Sequence, residues 1–150
     1  MVENSINKRN AFNLMDKKFE FLKHTADIKF RAYGKTLNGV FENCTLAISS
    51  IFSRDGKIKS FGVKNFTVKG KDYESLLYNF IEELIYLFDA EGFVVSKTKV
   101  RIKDIEADVT VYGDETSKYS NLDSIKSPTY AEMYIKKKNN LWEAQVVVDV

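Results

Sequence analysis

Two short polar segments, one near each end of the 150-residue sequence, carry the residue types best suited to chemistry. His24-Thr25-Ala26-Asp27 forms a polar turn between two strand candidates, and Asp149-Val150 follows an apolar strand. The main-chain carboxylate of Val150 lies one residue from the Asp149 carboxylate, so two negative charges repel each other there. A hard cation such as Ca²⁺ or Mg²⁺ offsets such repulsion by binding carboxylate oxygens. Local hydrogen bonds in the turn and a solvated terminus are the alternative interpretation.

The other catalytic residue types give weaker indications. The single cysteine, Cys44, excludes an intramolecular disulfide and a cysteine-based zinc site. Cys44 lies on the apolar stripe of a predicted helix, so we expect it in the core rather than paired with His24. His24 and Asp27 could act as acid and base of a small hydrolase, but no residue pattern supplies the nucleophile.

A basic strand candidate carries an alternative function. It presents cations at every second position: Lys97, Lys99, Arg101 and Lys103. Together with the basic stretch of residues 57–71, these side chains could make the protein a small RNA-binding module with salt-dependent affinity. A solvated strand face beside Glu106 and Asp108 is the simpler interpretation, and the net charge of +2 does not decide between them.

Apolar periodicity predicts an α+β fold, in which a largely antiparallel sheet or sheets pack on two main helices. The helices are predicted at 36–52 and 72–89, with N-caps at Thr36 and Asp72 and a C-terminal stop at Gly92. Strands are predicted at 19–21, 28–33, 63–69, 93–103, 105–112, 130–135 and 141–148. A polar loop is predicted at 113–124. The strand–helix–strand pattern of the first half loosely recurs in the second, which suggests duplicated units.

The register of one hairpin follows from its charges. A turn at Lys103-Asp104 would place Arg101 opposite Glu106 and Lys99 opposite Asp108. Opposite charges would then face each other across the two strands, which favours this pairing. The apolar residues of both strands would share the other face.

The composition is typical of one soluble globular domain, with 44% hydrophobic and 29% charged residues. We predict a flexible or weakly docked N-terminal arm at residues 1–17 and a single domain at residues 18–150. No apolar stretch approaches the roughly 20 residues that a membrane span needs, so no membrane partner is expected. A lone thiol is typical of a reducing compartment, which favours the cytoplasm.

The sequence resembles the archease family over most of residues 19–150. The matching segments stand in the family's order: His24–Asp27, Ala32–Leu37 with Phe41, Leu76–Leu87, Asp89–Phe93, Ala107, Gly113-Asp114, Ile125–Tyr130, Trp142 and Asp149-Val150. The resemblance implies an archease-like domain and an accessory protein rather than an enzyme. Archeases promote the GTP-dependent activation and multiple turnover of the RtcB-type RNA ligase, which joins tRNA halves in tRNA splicing.

The resemblance therefore implies that the RtcB-type ligase is the partner and that RNA is reached indirectly through it. No DNA partner is implied. It also implies a divalent cation, calcium first with magnesium or manganese as alternatives, held by Asp27, Asp149 and the carboxylate of Val150. A cytoplasmic protein is expected, with the nucleus as a second location in a eukaryotic cell.

Two further residues match positions that matter in the family. His24 and Lys126 are expected to contribute to activation or partner contact. The sequence departs from the family's Lys-Ala-Val-Thr-Tyr-His motif, because Pro128 replaces a small apolar residue and Ala131 replaces the histidine. The resemblance therefore implies an acidic cluster that is intact beside a motif that has changed.

Overall fold

Residues 17–150 fold into two antiparallel sheets and two helices, as the α+β prediction requires. The structure is a computed structural model that describes these residues, so the predicted arm at 1–17 lies outside the described residues except for Lys17. The strands are β1 (Phe19–Leu22), β2 (Ile28–Gly34), β3 (Gly62–Lys69), β4 (Phe93–Lys103), β5 (Glu106–Glu115), β6 (Ser127–Lys138) and β7 (Leu141–Asp149). The helices are α1 (Leu37–Ser53) and α2 (Tyr73–Glu91), and a short 3₁₀ turn spans Thr116–Lys118.

Both sheets share one hydrophobic core. The larger sheet has the strand order β1-β2-β7-β6, and the smaller sheet has the order β3-β5-β4. Helix α1 contacts β2 of the larger sheet and β4 of the smaller sheet, and α2 contacts β6 and β4. Each helix therefore packs against both sheets, which explains how apolar residues from all parts of the domain form one cluster.

The apolar stripes of the helices are buried, as their spacing predicts, and the helix bounds agree with the prediction within two residues. Phe41 of α1 and Phe80 of α2 are fully buried, and their ring centroids lie 5.4 Å apart. Burial of such a side chain contributes about 1.5–3 kcal/mol to stability. Cys44 is also fully buried, which raises the pKa of its thiol and confirms its place in the core. Within residues 17–150, no helix is long and apolar enough to cross a membrane.

The N-caps of both helices are the predicted ones. The Thr36 hydroxyl accepts a hydrogen bond from the Gly39 N–H at 2.9 Å. The Asp72 carboxylate accepts one from the Ser75 N–H at 2.7 Å, and the Ser75 hydroxyl oxygen accepts one from the Asp72 N–H at 3.1 Å, which completes a capping box. Each cap satisfies a main-chain donor that the helix itself leaves unpaired, which contributes about 1 kcal/mol.

The two helices are also tied to their preceding strands in the same way. The Asn43 side chain donates to the carbonyl oxygen of Tyr33 at 2.5 Å, and the Asn79 side chain donates to that of Lys69 at 2.8 Å. Both asparagines follow their strand-end partner at the same sequence distance. This shared construction agrees with the suggestion of duplicated units. The strands that precede them nevertheless lie in different sheets, since β2 belongs to the larger sheet and β3 to the smaller one.

The predicted register of the β4–β5 hairpin is wrong. The turn lies at Asp104-Ile105, so Arg101 faces Asp108 and Lys103 faces Glu106. Asp104 adopts a left-handed conformation with φ of 55°, which two-residue hairpin turns require and which aspartate tolerates better than most residues. The turn geometry therefore sets the register, and the charges follow it.

The predicted polar loop and the last but one strand also need correction. β5 continues to Glu115, and Gly113 and Asp114 are buried. The Asp114 carboxylate accepts a hydrogen bond from the Tyr119 hydroxyl at 2.9 Å, which satisfies it inside the fold. β6 begins at Ser127 and includes Pro128, because β6 is an edge strand where a missing N–H is tolerated.

Replacing Gly70 with alanine should strongly destabilise the domain. A Cβ atom at Gly70 would lie 2.5 Å from the Leu76 main-chain nitrogen, and neither backbone segment can move without disturbing the start of α2. We expect Gly70→Ala to lower the free energy of unfolding by about 2–3 kcal/mol, measured by urea denaturation. Gly39→Ala is the control, because its Cβ would meet only the Thr36 side chain at 3.1 Å. An equal loss in both variants would contradict the prediction.

Candidate metal centre

The end of the larger sheet brings the two predicted acidic residues next to each other. β2 and β7 pair antiparallel from Gly34 opposite Trp142 to Ile28 opposite Val148. Asp27 and Asp149 are the next residues on the two segments, so the register leads them to neighbouring positions. Directly opposed residues in such a pair have Cα atoms about 4.5–5.5 Å apart. Residues from opposite ends of the sequence are thus brought to one edge of the sheet.

The start of β6 lies at the same edge. Ser127 faces Asp149, and the Lys126 N–H donates to the Asp149 carbonyl oxygen at 2.8 Å. Lys126 itself is exposed, and its side chain lines a shallow pocket with Glu82 and Asp89 of α2. Val150 is 40% exposed. The predicted metal ligands and the predicted activating lysine are therefore neighbours along the edge.

Asp27 also lines an open cleft of about 580 Å³. Two other carboxylates in the cleft have partners: Asp55 accepts a hydrogen bond from Ser50 at 2.7 Å, and Asp123 pairs with Arg54 at 3.7 Å. The Asp27 and Asp149 carboxylates form no hydrogen bond or ion pair within residues 17–150. They are therefore available to an external cation, whereas the carboxylates beside them are already engaged.

The chemistry of these ligands fits a hard cation. Carboxylate oxygens without thiolate or imidazole are typical of calcium, magnesium and manganese sites rather than zinc sites. Among the described residues, no group of three or more His, Cys, Asp and Glu side chains is placed to hold a metal ion. Asp27 and Asp149 are therefore a pair of neighbouring carboxylates rather than a complete set of side-chain ligands.

His24 does not pair with Asp27 but reaches toward β6. Its Nε2 atom donates to a Glu132 carboxylate oxygen at 3.0 Å, and the other oxygen accepts from Lys29 at 3.4 Å. The His24 Nδ1 atom is buried and has no hydrogen-bond partner within residues 17–150. An acid–base pair of His24 and Asp27, which the hydrolase alternative needs, is not formed in this structure.

Glu132 is the residue near this edge that sequence reasoning missed. It lies in an irregular stretch of β6 between Thr129 and Tyr134, where the register with β7 shifts, and it has a left-handed φ of 56°. The Gln145 side chain donates to its carbonyl oxygen at 2.8 Å, which supports the irregular backbone. Strand periodicity gives no signal for such a bulge, so the sequence alone could not place this carboxylate beside His24.

Solved structures with the same fold establish the structural class. A solution structure of Methanobacterium thermoautotrophicum protein 1598 matches with a TM-score of 0.75 and 32% sequence identity, covering 88% of this chain and 98% of that chain. A crystal structure from Thermotoga maritima, described as an archease and possible chaperone, matches with a TM-score of 0.61 over 86% of this chain and 94% of that chain. Because that pair is only 17% identical, it shows the fold alone. The domain therefore has the archease fold.

Sequence comparisons then establish the family. A family model described as the Archease protein family matches residues 19–150. A protein archease of Methanosarcina acetivorans is 37% identical over 143 residues, covering 89% of this chain and 97% of the relative. A protein archease of Sulfurisphaera tokodaii is 36% identical over 137 residues, covering 89% of this chain and 99% of the relative. The chain belongs to the archease family, which confirms the resemblance.

Removing the His24 side chain should raise the pKa of the Glu132 carboxyl group. The hydrogen bond from His24, followed by the bond and charge of Lys29, holds this pKa below its ordinary value. The ionised Glu132 carboxylate therefore stabilises the fold at pH values above the ordinary carboxyl pKa. This contribution is lost as the pH falls through the lowered pKa of Glu132 in the folded protein. We expect His24→Ala to move the Glu132 titration, followed by carbon-detected NMR, toward its ordinary range. An unchanged titration would show that the bond does not form in solution.

Proposed function

We propose that this archease is an accessory protein that activates an RtcB-type RNA ligase in the cytoplasm during tRNA splicing, and that it has no catalytic activity of its own. Membership of the family supports an accessory role, and a relative with the same fold is described as a possible chaperone. The hydrolase alternative lacks support, because His24 is bonded to Glu132 rather than to Asp27. The ligase would then supply all of the chemistry.

The observation that carries the proposal is the β2–β7 register, which leads Asp27 to Asp149. Carboxylates that merely solubilise a surface gain nothing from being neighbours, since like charges raise each other's free energy. Neighbouring carboxylates without a protein partner are expected where a cation or a cationic group of another molecule binds. Asp27 and Asp149, the acidic residues that the family resemblance implies, are therefore also the two carboxylates that the sheet of this chain brings together.

We further propose that Asp27, Asp149 and the carboxylate of Val150 hold one divalent cation, calcium first and magnesium or manganese as alternatives. A bound cation would offset the repulsion among the carboxylates and leave coordination positions for water or for a group of the ligase. Asp149 is held in place by β7 and by the bond from the Lys126 N–H. Asp27 is held by the start of β2.

His24 and Lys126 have different roles in this proposal. His24 positions β6 through Glu132, because the bond joins the β1–β2 turn to the irregular stretch of that strand. The Lys126 side chain is exposed beside the acidic pair and is free to contact the ligase or its bound nucleotide. Lys126 is therefore the residue of this edge that we expect to contact the partner directly.

Removing either carboxylate should weaken cation binding and ligase activation together. We expect Asp27→Asn, Asp149→Asn and the addition of one glycine after Val150 each to lower Ca²⁺ affinity at least about tenfold by calorimetry. Each change removes or displaces one negative oxygen ligand. Stimulation of a cognate RtcB-type ligase, measured under multiple turnover, should fall close to the level without the archease.

The matched control for these variants is Asp55→Asn. Asp55 lines the same cleft, but its carboxylate is engaged by Ser50, and the amide oxygen of asparagine can accept the same bond. This control should bind Ca²⁺ and stimulate the ligase normally. All variants should keep their free energy of unfolding within about 1 kcal/mol, because the changed groups are near the surface. Normal stimulation by all three site variants would refute the proposal.

Shortening Lys126 should separate partner contact from cation binding. We expect Lys126→Ala to bind Ca²⁺ with unchanged affinity, because only its main-chain N–H supports Asp149. Stimulation of the ligase should nevertheless fall several-fold, since the exposed ammonium group is lost. Lys126→Arg is the control that keeps the charge and should retain most of the stimulation. A parallel loss of Ca²⁺ affinity in Lys126→Ala would contradict the assigned role.

A further inference from the structure

The smaller sheet has a face that neither helix covers. Its outward residues form columns along the three strands: Lys97, Lys99, Arg101 and Lys103 on β4, Tyr112, Thr110, Asp108 and Glu106 on β5, and Val63, Asn65, Thr67 and Lys69 on β3. The inward residues of the same strands, such as Val100, Val109 and Val68, are buried in the core. The outward face is therefore the solvent side of a sheet whose other side is packed.

This face concentrates positive charge. We call the four cations of β4, Lys97, Lys99, Arg101 and Lys103, the cationic ladder; all four are exposed. With Lys69, the face carries five cations against the two carboxylates of Asp108 and Glu106, an excess that is larger than the net charge of +2 of the whole chain. Within residues 17–150, no member of the ladder forms an ion pair. The Asp108 carboxylate instead accepts a hydrogen bond from Thr67 at 2.9 Å.

The spacing of the ladder suits a repeating polyanion. Alternate residues of a strand lie about 7 Å apart on one face, so the ladder is a straight row of evenly spaced cations. A nucleic-acid backbone presents a regular row of phosphates, and each contact with Lys or Arg releases a counterion. Protein interfaces have a different composition, with lysine depleted and aromatic residues enriched in their centre. The charge and the composition of the face together favour a nucleic acid over a protein partner.

An aromatic pair lies beyond the β3 corner of this face, across the sheet from the ladder on β4. Lys69 faces Glu106 at the end of the sheet and also lines a pocket with Lys71 and Tyr130. Tyr130 is 56% exposed and stacks on Tyr78 with ring centroids 4.3 Å apart and planes nearly parallel. A single strand that crosses the end of the face, from the ladder past β5 to Lys69, would bring an unpaired base to these exposed rings, and stacking on aromatic rings is how proteins bind such bases.

We propose that the outer face of the β3-β5-β4 sheet binds single-stranded RNA, with the phosphate backbone along the cationic ladder and a base stacked on Tyr130. The choice of RNA rather than DNA rests on the proposed function, whereas the binding surface does not. The site lies on the smaller sheet, and the acidic edge with Asp27 and Asp149 lies on the larger sheet. The archease would then hold the RNA directly as well as act on the ligase.

The test is direct binding of the full chain to a labelled oligouridine of about 12 nucleotides, followed by fluorescence anisotropy over a range of salt concentrations. We expect K97Q/K99Q/R101Q to bind at least about tenfold more weakly at low salt. The slope of log affinity against log salt should fall by about 2, since each single-strand phosphate contact contributes about 0.7. Tyr130→Ala should weaken binding with little change of slope, because it removes stacking but no charge.

Two variants serve as matched controls. K136Q/K137Q/K138Q removes the same charge from exposed lysines of β6, near the β6–β7 turn, and should bind RNA nearly as wild type does. E106Q/D108N removes the two carboxylates of the face and should bind more tightly. Equal losses in both triple variants would show a nonspecific charge effect and overturn the proposal. So would wild-type affinity of the ladder variant.

Measuring ligase stimulation with the same variants distinguishes the RNA-binding proposal from the proposed function. The ladder variant should keep its Ca²⁺ affinity and should stimulate the ligase normally at saturating RNA, while Asp27→Asn should bind oligouridine normally. If the ladder variant loses binding to the ligase but keeps its RNA affinity, the face is a protein interface and the RNA proposal is wrong. If Asp27→Asn stimulates normally while the ladder variant loses RNA binding, the proposed function fails and the RNA site stands.

Discussion

The pairing of β2 with β7 is the constraint on which the candidate site depends. Phe30 lies opposite Val146 and Ile28 opposite Val148 on the face that contributes to the core, and Phe30, Val146 and Val148 are fully buried. A slip by one residue would turn these side chains to the other face, where Arg31 and Gln145 lie, at a cost of several buried side chains of about 1.5–3 kcal/mol each. The apolar core therefore fixes the register, and the register places Asp27 next to Asp149. Burial of these apolar side chains thus holds two carboxylates that repel each other at neighbouring positions.

The helices are positioned by a second, repeated constraint. Gly34 and Gly70 stand two residues before the N-caps, and a Cβ atom at either position would lie 2.5 Å from a main-chain nitrogen in the first helical turn. The close approach turns the chain sharply from strand to helix, and the bonds from Asn43 and Asn79 to the strand ends hold that turn. The same junction is thus used twice, yet β2 and β3 continue into different sheets. Local construction repeats in this domain, whereas the pairing of the strands does not.

Features that depend on the spacing of apolar residues could be predicted from the sequence. Features that depend on the backbone conformation of single residues could not. Helix bounds, caps and the burial of Cys44 follow from spacing and residue type, and they agree with the structure. The β4–β5 register was set by a left-handed Asp104 rather than by charge pairing, because exposed ion pairs contribute only about 0–1 kcal/mol. Glu132 was missed for a related reason, since a bulge has no period to detect. Asp27 and Asp149 could be named from residue types and from the resemblance, but their adjacency depends on a pairing between distant segments that local patterns do not encode.

Helix α1 prevents another β-strand from pairing with the exposed edge of the smaller sheet. β4 is an edge strand, and such strands expose main-chain donors that invite pairing with another chain. Two of these main-chain donors are already satisfied by side chains of α1. The Val100 N–H donates to the Glu42 carboxylate and the Ile102 N–H donates to the Asn38 side-chain oxygen, each at 2.9 Å. A buried bond of 2.8 Å between Thr45 and Thr98 ties the same helix to the same strand. The edge of β4 is thereby closed to strand addition over the length that carries the cationic ladder, so this strand is left to interact through its outward side chains. Because α1 also contacts β2, the helix that closes this edge packs against the strand that leads to Asp27.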